Sequence, residues 1–168
     1  MLQEHAKLVQ FISLAEEITG RKKLQKMIFI AKKMKFPFQE KFRLHMYGPY
    51  SEELTLRVEE LCEMGFLQEQ CIDQGAYVQY QYHVSDEGEH FLKEMSAEAG
   101  ALQGFIQQMQ QQSSRFLELV STLLYFDEYE KEEQIEKVQI VKSKLNFSTR
   151  EMEDAFHFID ELEQLALS

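Results

Sequence analysis

Cysteine, proline and glycine are scarce in this chain, at two, two and seven of 168 residues. Cys62 and Cys71 lie nine positions apart with no Cys-x-x-Cys pair, so a disulfide framework is not expected and a reducing cytoplasm fits best. The N-terminus lacks the basic start and apolar run of a secretory leader. No stretch approaches the ~18 consecutive apolar residues of a membrane span, because Lys, Glu or Gln interrupts each candidate. The glycines stand singly at expected turns and helix ends, which argues against a phosphate-cradling loop and against nucleotide hydrolysis.

Basic residues are also in the minority, and the formal net charge of -11 argues against a general nucleic-acid coat. Their distribution is uneven. Residues 21–57 hold ten Lys or Arg against three Glu, a balance of +7, whereas residues 58–168 hold seven against 23 acids, a balance of -16. Such asymmetry marks either a basic working face on an acidic body or a basic helix that is merely solvated. Hydrophobic residues at 44%, with 13 Phe and 7 Tyr, are enough to build a packed core rather than a disordered chain.

Periodicity supplies the elements. Leu8, Phe11, Ile12, Ala15 and Ile18 recur at helical spacing, with Gly20 placed to end that helix in a left-handed turn. A second helix is expected over 22–34, with Leu24, Met27, Ile28 and Ala31 as its stripe and Phe29 and Ile30 widening it, as in a central helix. The segment 36–46 fits a short crossing strand, and Gly48-Pro49 then fits a sharp turn with Ser51 capping a third helix that runs to about Met64. That helix is expected to bury Leu54, Val58, Leu61 and Cys62. Two alternating segments, 66–72 and 77–84, flank Asp73-Gln74-Gly75 and read as a half-buried hairpin, with Ser85 and Asp86 capping a helix that carries Phe91, Leu92 and Met95.

This order of helices, strand and hairpin predicts a mainly α (α+β) fold, with a winged helix-turn-helix domain over 1–96 and a helical extension over 97–168. In the extension, Leu102, Ile106, Met109, Ser113, Phe116, Val120 and Leu123 alternate spacings of four and three with no proline, predicting one helix of about 25 residues. Its seam serves equally a homodimer through 102–123 or packing against two further helices in the same chain. One of those would bury Ile135, Val138, Val141 and Leu145. The other opens with a capping box, Ser148 and Glu151, and would bury Met152, Ala155, Phe156, Ile159 and Leu162.

Chemistry is thinly represented. His5, His45, His90 and His157 fall in unrelated elements, and no serine or cysteine sits in a recognisable nucleophile elbow, so an enzyme is not expected. Cys62, Cys71, His83 and His90 are spaced too widely for a usual zinc site, and the acidic run 127–133 lacks the glycine and alternating ligands of a calcium loop. No metal and no cofactor are expected. The residues left as candidates for meeting nucleic acid or a partner are Arg21, Lys22, Lys23, Lys26, Lys33, Lys41, Arg43, Tyr47, Tyr50 and Arg57. Lysines 22, 26 and 33 share a helical side and would form a joint positive surface. Against DNA stands the third helix, which presents Glu52, Glu53, Glu59 and Glu60 beside the single Arg57.

The run from Gly20 to Phe29, the segment Tyr47-Gly48-Pro49-Tyr50-Ser51, residues 61–67 and residues 82–88 together resemble the YwgA-like group of bacterial proteins. Lys23-Leu24-Gln25-Lys26 and Tyr47 to Ser51 are also similar to the Panacea, or SocA-like, antitoxin domain. That second resemblance implies a role in protein contact without catalysis. The winged-helix order and the local balance of +7 give the leading expectation, a winged-helix regulator that binds DNA through the basic patch in 21–43. The alternative, which the Panacea likeness, the acidic third helix and the net charge support, is a protein-interaction module, antitoxin or adaptor, that does not bind DNA.

Overall fold

The computed structural model describes residues 2–95 and 100–167, and the expected domain boundary at 96 and 97 lies outside the described residues. Helix α1 (Gln3–Ala15) turns Leu8, Val9, Phe11 and Ile12 inward to complete burial. Each such side chain contributes about 1.5–3 kcal/mol of transfer free energy. The helix stops before Gly20: Glu16 takes φ 67°, and its N–H bonds the Ser13 carbonyl at 3.1 Å. Ile18 and Thr19 then form strand β1, with Ile18 opposite Tyr82. The chain leaves the helix early because Ile18 finds complete burial against a sheet. Gly20, at φ 110°, opens the next helix instead of closing the first.

Helix α2 (Arg21–Lys33) is central, as its apolar breadth predicts, and buries every residue from Leu24 to Ala31. After it, Phe36, Phe38 and Phe42 dip singly into the core against Phe105, Phe11 and Phe29, with ring centroids 5.0, 5.8 and 5.1 Å apart. This anchoring leaves only a short strand, β2 (Arg43–His45), where a crossing over 36–46 was expected. It pairs antiparallel with β3 (Gly48–Tyr50), Leu44 facing Pro49, so the turn falls at Met46-Tyr47 and not at Gly-Pro. Ser51 caps α3 (Glu52–Glu63) as expected, its Oγ accepting the Leu54 N–H at 3.1 Å.

The predicted hairpin forms from β4 (Leu67–Asp73) and β5 (Val78–Val84), and β1 adds on the other side of β5 to give the order β1-β5-β4. Ser85 Oγ accepts the Gly88 N–H at the start of α4 (Asp86–Met95), and Phe91 of that helix stacks on Phe66 with centroids 4.5 Å apart.

The single long helix expected over 102–123 is two helices, α5 (Leu102–Gln110) and α6 (Ser114–Tyr125). Ser113 is the break: with ψ 157° it leaves helical space, and its Oγ caps α6 through the Phe116 N–H. Gln110 holds the other side by donating to the carbonyls of Ala15 and Glu17, which directs α5 along α1 while α6 packs on α2. Leu102, Ile106, Met109, Val120 and Leu123 of the expected seam are buried against elements of the same chain, while Phe116 is half-buried and Ser113 exposed.

Helix α7 (Lys131–Val141) buries Val138 and packs Ile135 against the core but leaves Val141 exposed, correcting that one position of the expected stripe, because the chain turns Lys142 inward before a short 3-10 turn over Ser143–Leu145. Helix α8 (Thr149–Ala166) begins with the predicted Ser148–Glu151 capping box, and buries Phe158 more deeply than the expected Phe156. One hydrophobic cluster runs from Ala6 to Leu162, joining the first and last helices. The architecture is mixed α and β, with eight α-helices and two small antiparallel sheets among the described residues. None of those helices is long and apolar enough to cross a membrane.

Candidate functional site

The basic segment does not form the joint positive surface that lysines 22, 26 and 33 predicted. Lys26 points inward, only 4% exposed, with its Nζ 3.5 Å from Glu118 of α6. The wide apolar surface of α2 explains this: a helix buried on several sides carries its intervening polar residues inward too. Lys33 pairs with Asp127 at 2.9 Å, Lys23 reaches the Gln110 carbonyl at 3.4 Å, and Lys32 donates to the Glu40 carbonyl. Arg57 pairs with the fully buried Glu40 and lies 4.0 Å from Glu53. Burial lowers the basicity of both Lys23 and Lys26, partly opposed at Lys26 by the Glu118 carboxylate. Lys41 and Arg43 are exposed, and neither side chain has a carboxylate partner among the described residues.

What the fold does bring together is Arg21, Lys22, Tyr47 and Tyr50, around a cavity of about 510 Å³. Its walls are α2 through Leu24 and Gln25, the β2–β3 hairpin through His45 to Tyr50, α3 through Leu54, Thr55 and Val58, and the larger sheet through Glu69 and Tyr82. The walls are positioned by a small polar lattice. Gln25, buried, donates to the Ser51 carbonyl and to Thr55 Oγ1, both at 3.0 Å, and accepts the Ser51 N–H at 2.8 Å. Tyr50 shares a 2.8 Å hydrogen bond with Thr55 and packs its ring 5.0 Å from that of His45. One residue of the Lys-Leu-Gln-Lys run and one of the Tyr-Gly-Pro-Tyr-Ser run thus hold each other directly.

Arg21 is bound on three sides. Its Nε donates to the Tyr82 hydroxyl at 3.2 Å, its Nη2 lies 3.5 Å from Glu69, and the guanidinium covers the Tyr80 ring at 3.7 Å. Burial together with the hydrogen bond donated to Glu69 pushes the Tyr82 hydroxyl well above its ordinary pKa. Lys22 projects over the Tyr47 ring, 3.2 Å from its centroid, with no carboxylate partner among the described residues. At the hairpin turn Met46 is 80% and Tyr47 51% exposed, so two large side chains rim the cavity in open solvent.

Behind the hairpin lies a buried charge cluster. Glu118 stands between Lys26 and Lys142, whose Nζ is 3.8 Å away and also donates to the carbonyls of His45 and Met46. Two ammonium groups thus face one carboxylate where little water reaches. Sequence reasoning did not find Glu118 or Lys142. The available signal was a lone carboxylate inside the apolar run 116–124, and a lysine directly after Ile140-Val141. Among the described residues, no three His, Cys, Asp or Glu side chains are grouped so as to hold a metal ion.

No family model matches the chain. It is 53% identical over 165 residues to a protein of Bacillus subtilis (strain 168) named Uncharacterized protein YwgA, the match covering 98% of this chain and 99% of that relative.

Proposed function

We propose, from the premise that this chain belongs to the YwgA family, that it is a cytoplasmic protein-binding module of winged helix-turn-helix build, acting without catalysis by holding a partner protein. In this reading α1 to α3 are the three-helix head, β4 and β5 are the wing, and the helices after residue 100 buttress the head. The likeness of residues 23–26 and 47–51 to Panacea antitoxin domains points the same way.

One observation carries the reading: the surface built around Tyr47 and Tyr50 is apolar and aromatic, while four of the cations expected to meet phosphate are engaged elsewhere. Arg21, Lys26, Lys33 and Arg57 each face a carboxylate. Phosphate binding needs cations free to replace counterions. Exposed Tyr and Met side chains beside a cavity suit a protein interface, where both residue types are enriched relative to the rest of the surface. The exposed carboxylates of Glu52, Glu59 and Glu60 on α3 would also repel a DNA backbone.

A DNA-binding reading keeps one supporting observation, the exposed Lys22, Lys41 and Arg43, whose side chains have no carboxylate partner among the described residues. The two readings separate in affinity purification from the native host. A protein retained after nuclease treatment, and lost when Met46 and Tyr47 are changed to Ala, supports the module. Recovered DNA whose binding falls steeply with rising salt would overturn it.

A further inference from the structure

We propose that the cavity between α2, α3 and the β2–β3 hairpin is a binding site for a small amphipathic anion, an apolar ring or chain carrying one acidic head group. Its volume of about 510 Å³ lies within the roughly 300–1,000 Å³ of small-molecule sites, which are concave and mostly apolar with a few placed polar groups. Leu24, Pro49, Leu54 and Val58 offer the apolar lining.

Charge selects the ligand's sign and orientation. Arg21 is cancelled by Glu69, which leaves Lys22 as the cation on the α2 wall without a carboxylate of its own. The buried cluster behind the hairpin adds a further excess positive charge, since Lys26 and Lys142 share only Glu118. Lys142 holds the carbonyls of His45 and Met46, residues of the cavity wall, so that excess lies directly behind it. Such charges sit in a low dielectric and act on the cavity with little screening. On the α3 wall the Glu59 carboxylate opposes an anion. An acidic head group is therefore drawn to Lys22, with the apolar body against α3. A second or third negative charge would meet no other unpaired Lys or Arg among the lining residues. The site needs no partner protein, so its occupancy is independent of the interaction reading.

The test uses two probes on the full chain, anilinonaphthalene sulfonate and its uncharged relative phenylnaphthylamine, followed by fluorescence and calorimetry. One saturable site for the sulfonate is expected. Lys22→Gln should weaken it about threefold or more, the scale of a part-exposed charge pair, while Lys22→Arg retains it and the uncharged probe is unaffected. Added salt should act in the same selective way. Lys22 is exposed, so an unchanged unfolding midpoint separates lost binding from lost folding. Equal loss of both probes in Lys22→Gln, or no effect on either, overturns the proposal. Absence of saturable sulfonate binding also overturns it and leaves the cavity to a side chain of a partner protein.

Discussion

The Nζ of Lys26 lies 3.5 Å from the carboxylate of Glu118, joining the centre of α2 to α6 across a space that leaves the two side chains 5% and 12% exposed. Lys142 approaches the same carboxylate to 3.8 Å from the end of α7. Three helices and the β2–β3 turn therefore share one carboxylate as their electrostatic centre.

The members of this cluster should respond unequally to mutation. Removing one partner of a buried pair costs about 3–5 kcal/mol, because the other charge is left unmatched. Glu118→Gln strands two ammonium groups and should reach that range. Lys26→Met leaves the Glu118–Lys142 pair intact and keeps the side chain's volume, so a cost nearer about 1–2 kcal/mol is expected. Lys26→Glu should prevent folding, whereas Lys22→Glu on the exposed side should be nearly neutral. Urea unfolding of the three folded variants gives the ranking, circular dichroism checks the absence of structure in Lys26→Glu, and a larger loss for Lys26→Met than for Glu118→Gln would refute the arrangement.

That inequality marks how far the sequence can be read. Helix α2, the Ser51 and Ser148 caps and the β4–β5 hairpin were legible because their signals are local: apolar spacing, a capping side chain, a turn between alternating segments. The fate of Lys26 was not, because a lysine among lysines reads as solvated until a carboxylate far along the chain is placed beside it. Ser113 likewise fits a heptad position and a helix cap equally well, and the link after α1, held by Gln110, settles which it is. Gly48-Pro49 reads as a turn, yet proline also suits an edge strand where no N–H is required, and β3 uses it that way. Of the candidate site, Arg21, Lys22, Tyr47 and Tyr50 were visible as residue types, while His45, Met46, Glu118 and Lys142 became part of it only through tertiary packing.

The ion pair at the start of α8 should persist in acid until the pH nears 2. Arg115 binds Glu151 through two nitrogens, at 2.8 and 3.0 Å, and the Ser148 N–H donates to the same carboxylate. These bonds, led by the one from Arg115, hold Glu151 down to about 2 from its ordinary 4.5. A folded-state value below the unfolded one means stabilisation that is complete above about 4.5 and lost as the pH falls through about 2. Because the pair is part-exposed, its contribution is screened. Carboxyl NMR should find Glu151 titrating near 2, and Arg115→Gln should return it toward the ordinary range.

Two helical glycines should behave oppositely when changed to alanine. A Cβ on Gly88 would lie 2.2 Å from the Phe66 carbonyl oxygen and 2.6 Å from Val84 Cγ1, whereas one on Gly104 meets nothing within 4 Å. Gly88→Ala should separate α4 from the β4–β5 sheet and cost about 1–3 kcal/mol or more. Gly104→Ala should stabilise the chain by about 0.5–1 kcal/mol through helix propensity. Thermal unfolding of both variants measures the contrast, and destabilisation by Gly104→Ala would contradict the open space beside α5.

The α5–α6 region should contribute to folding and not to dimer formation. Met109 and Val120 fit the spacing of a coiled-coil seam, but both are fully buried against elements of their own chain. A lysine in a dimer seam gives a folded monomer, whereas one in a monomer's core leaves an unpaired buried charge and unfolds it. Met109→Lys and Val120→Lys should therefore lose helical structure at every concentration. The unaltered chain should unfold at a temperature independent of its concentration, since no mass action from subunit association acts on it. Sedimentation velocity at low micromolar concentration should find a monomer. A folded monomer from Met109→Lys, paired with a dimer of the unaltered chain, would instead restore 102–123 as the interface.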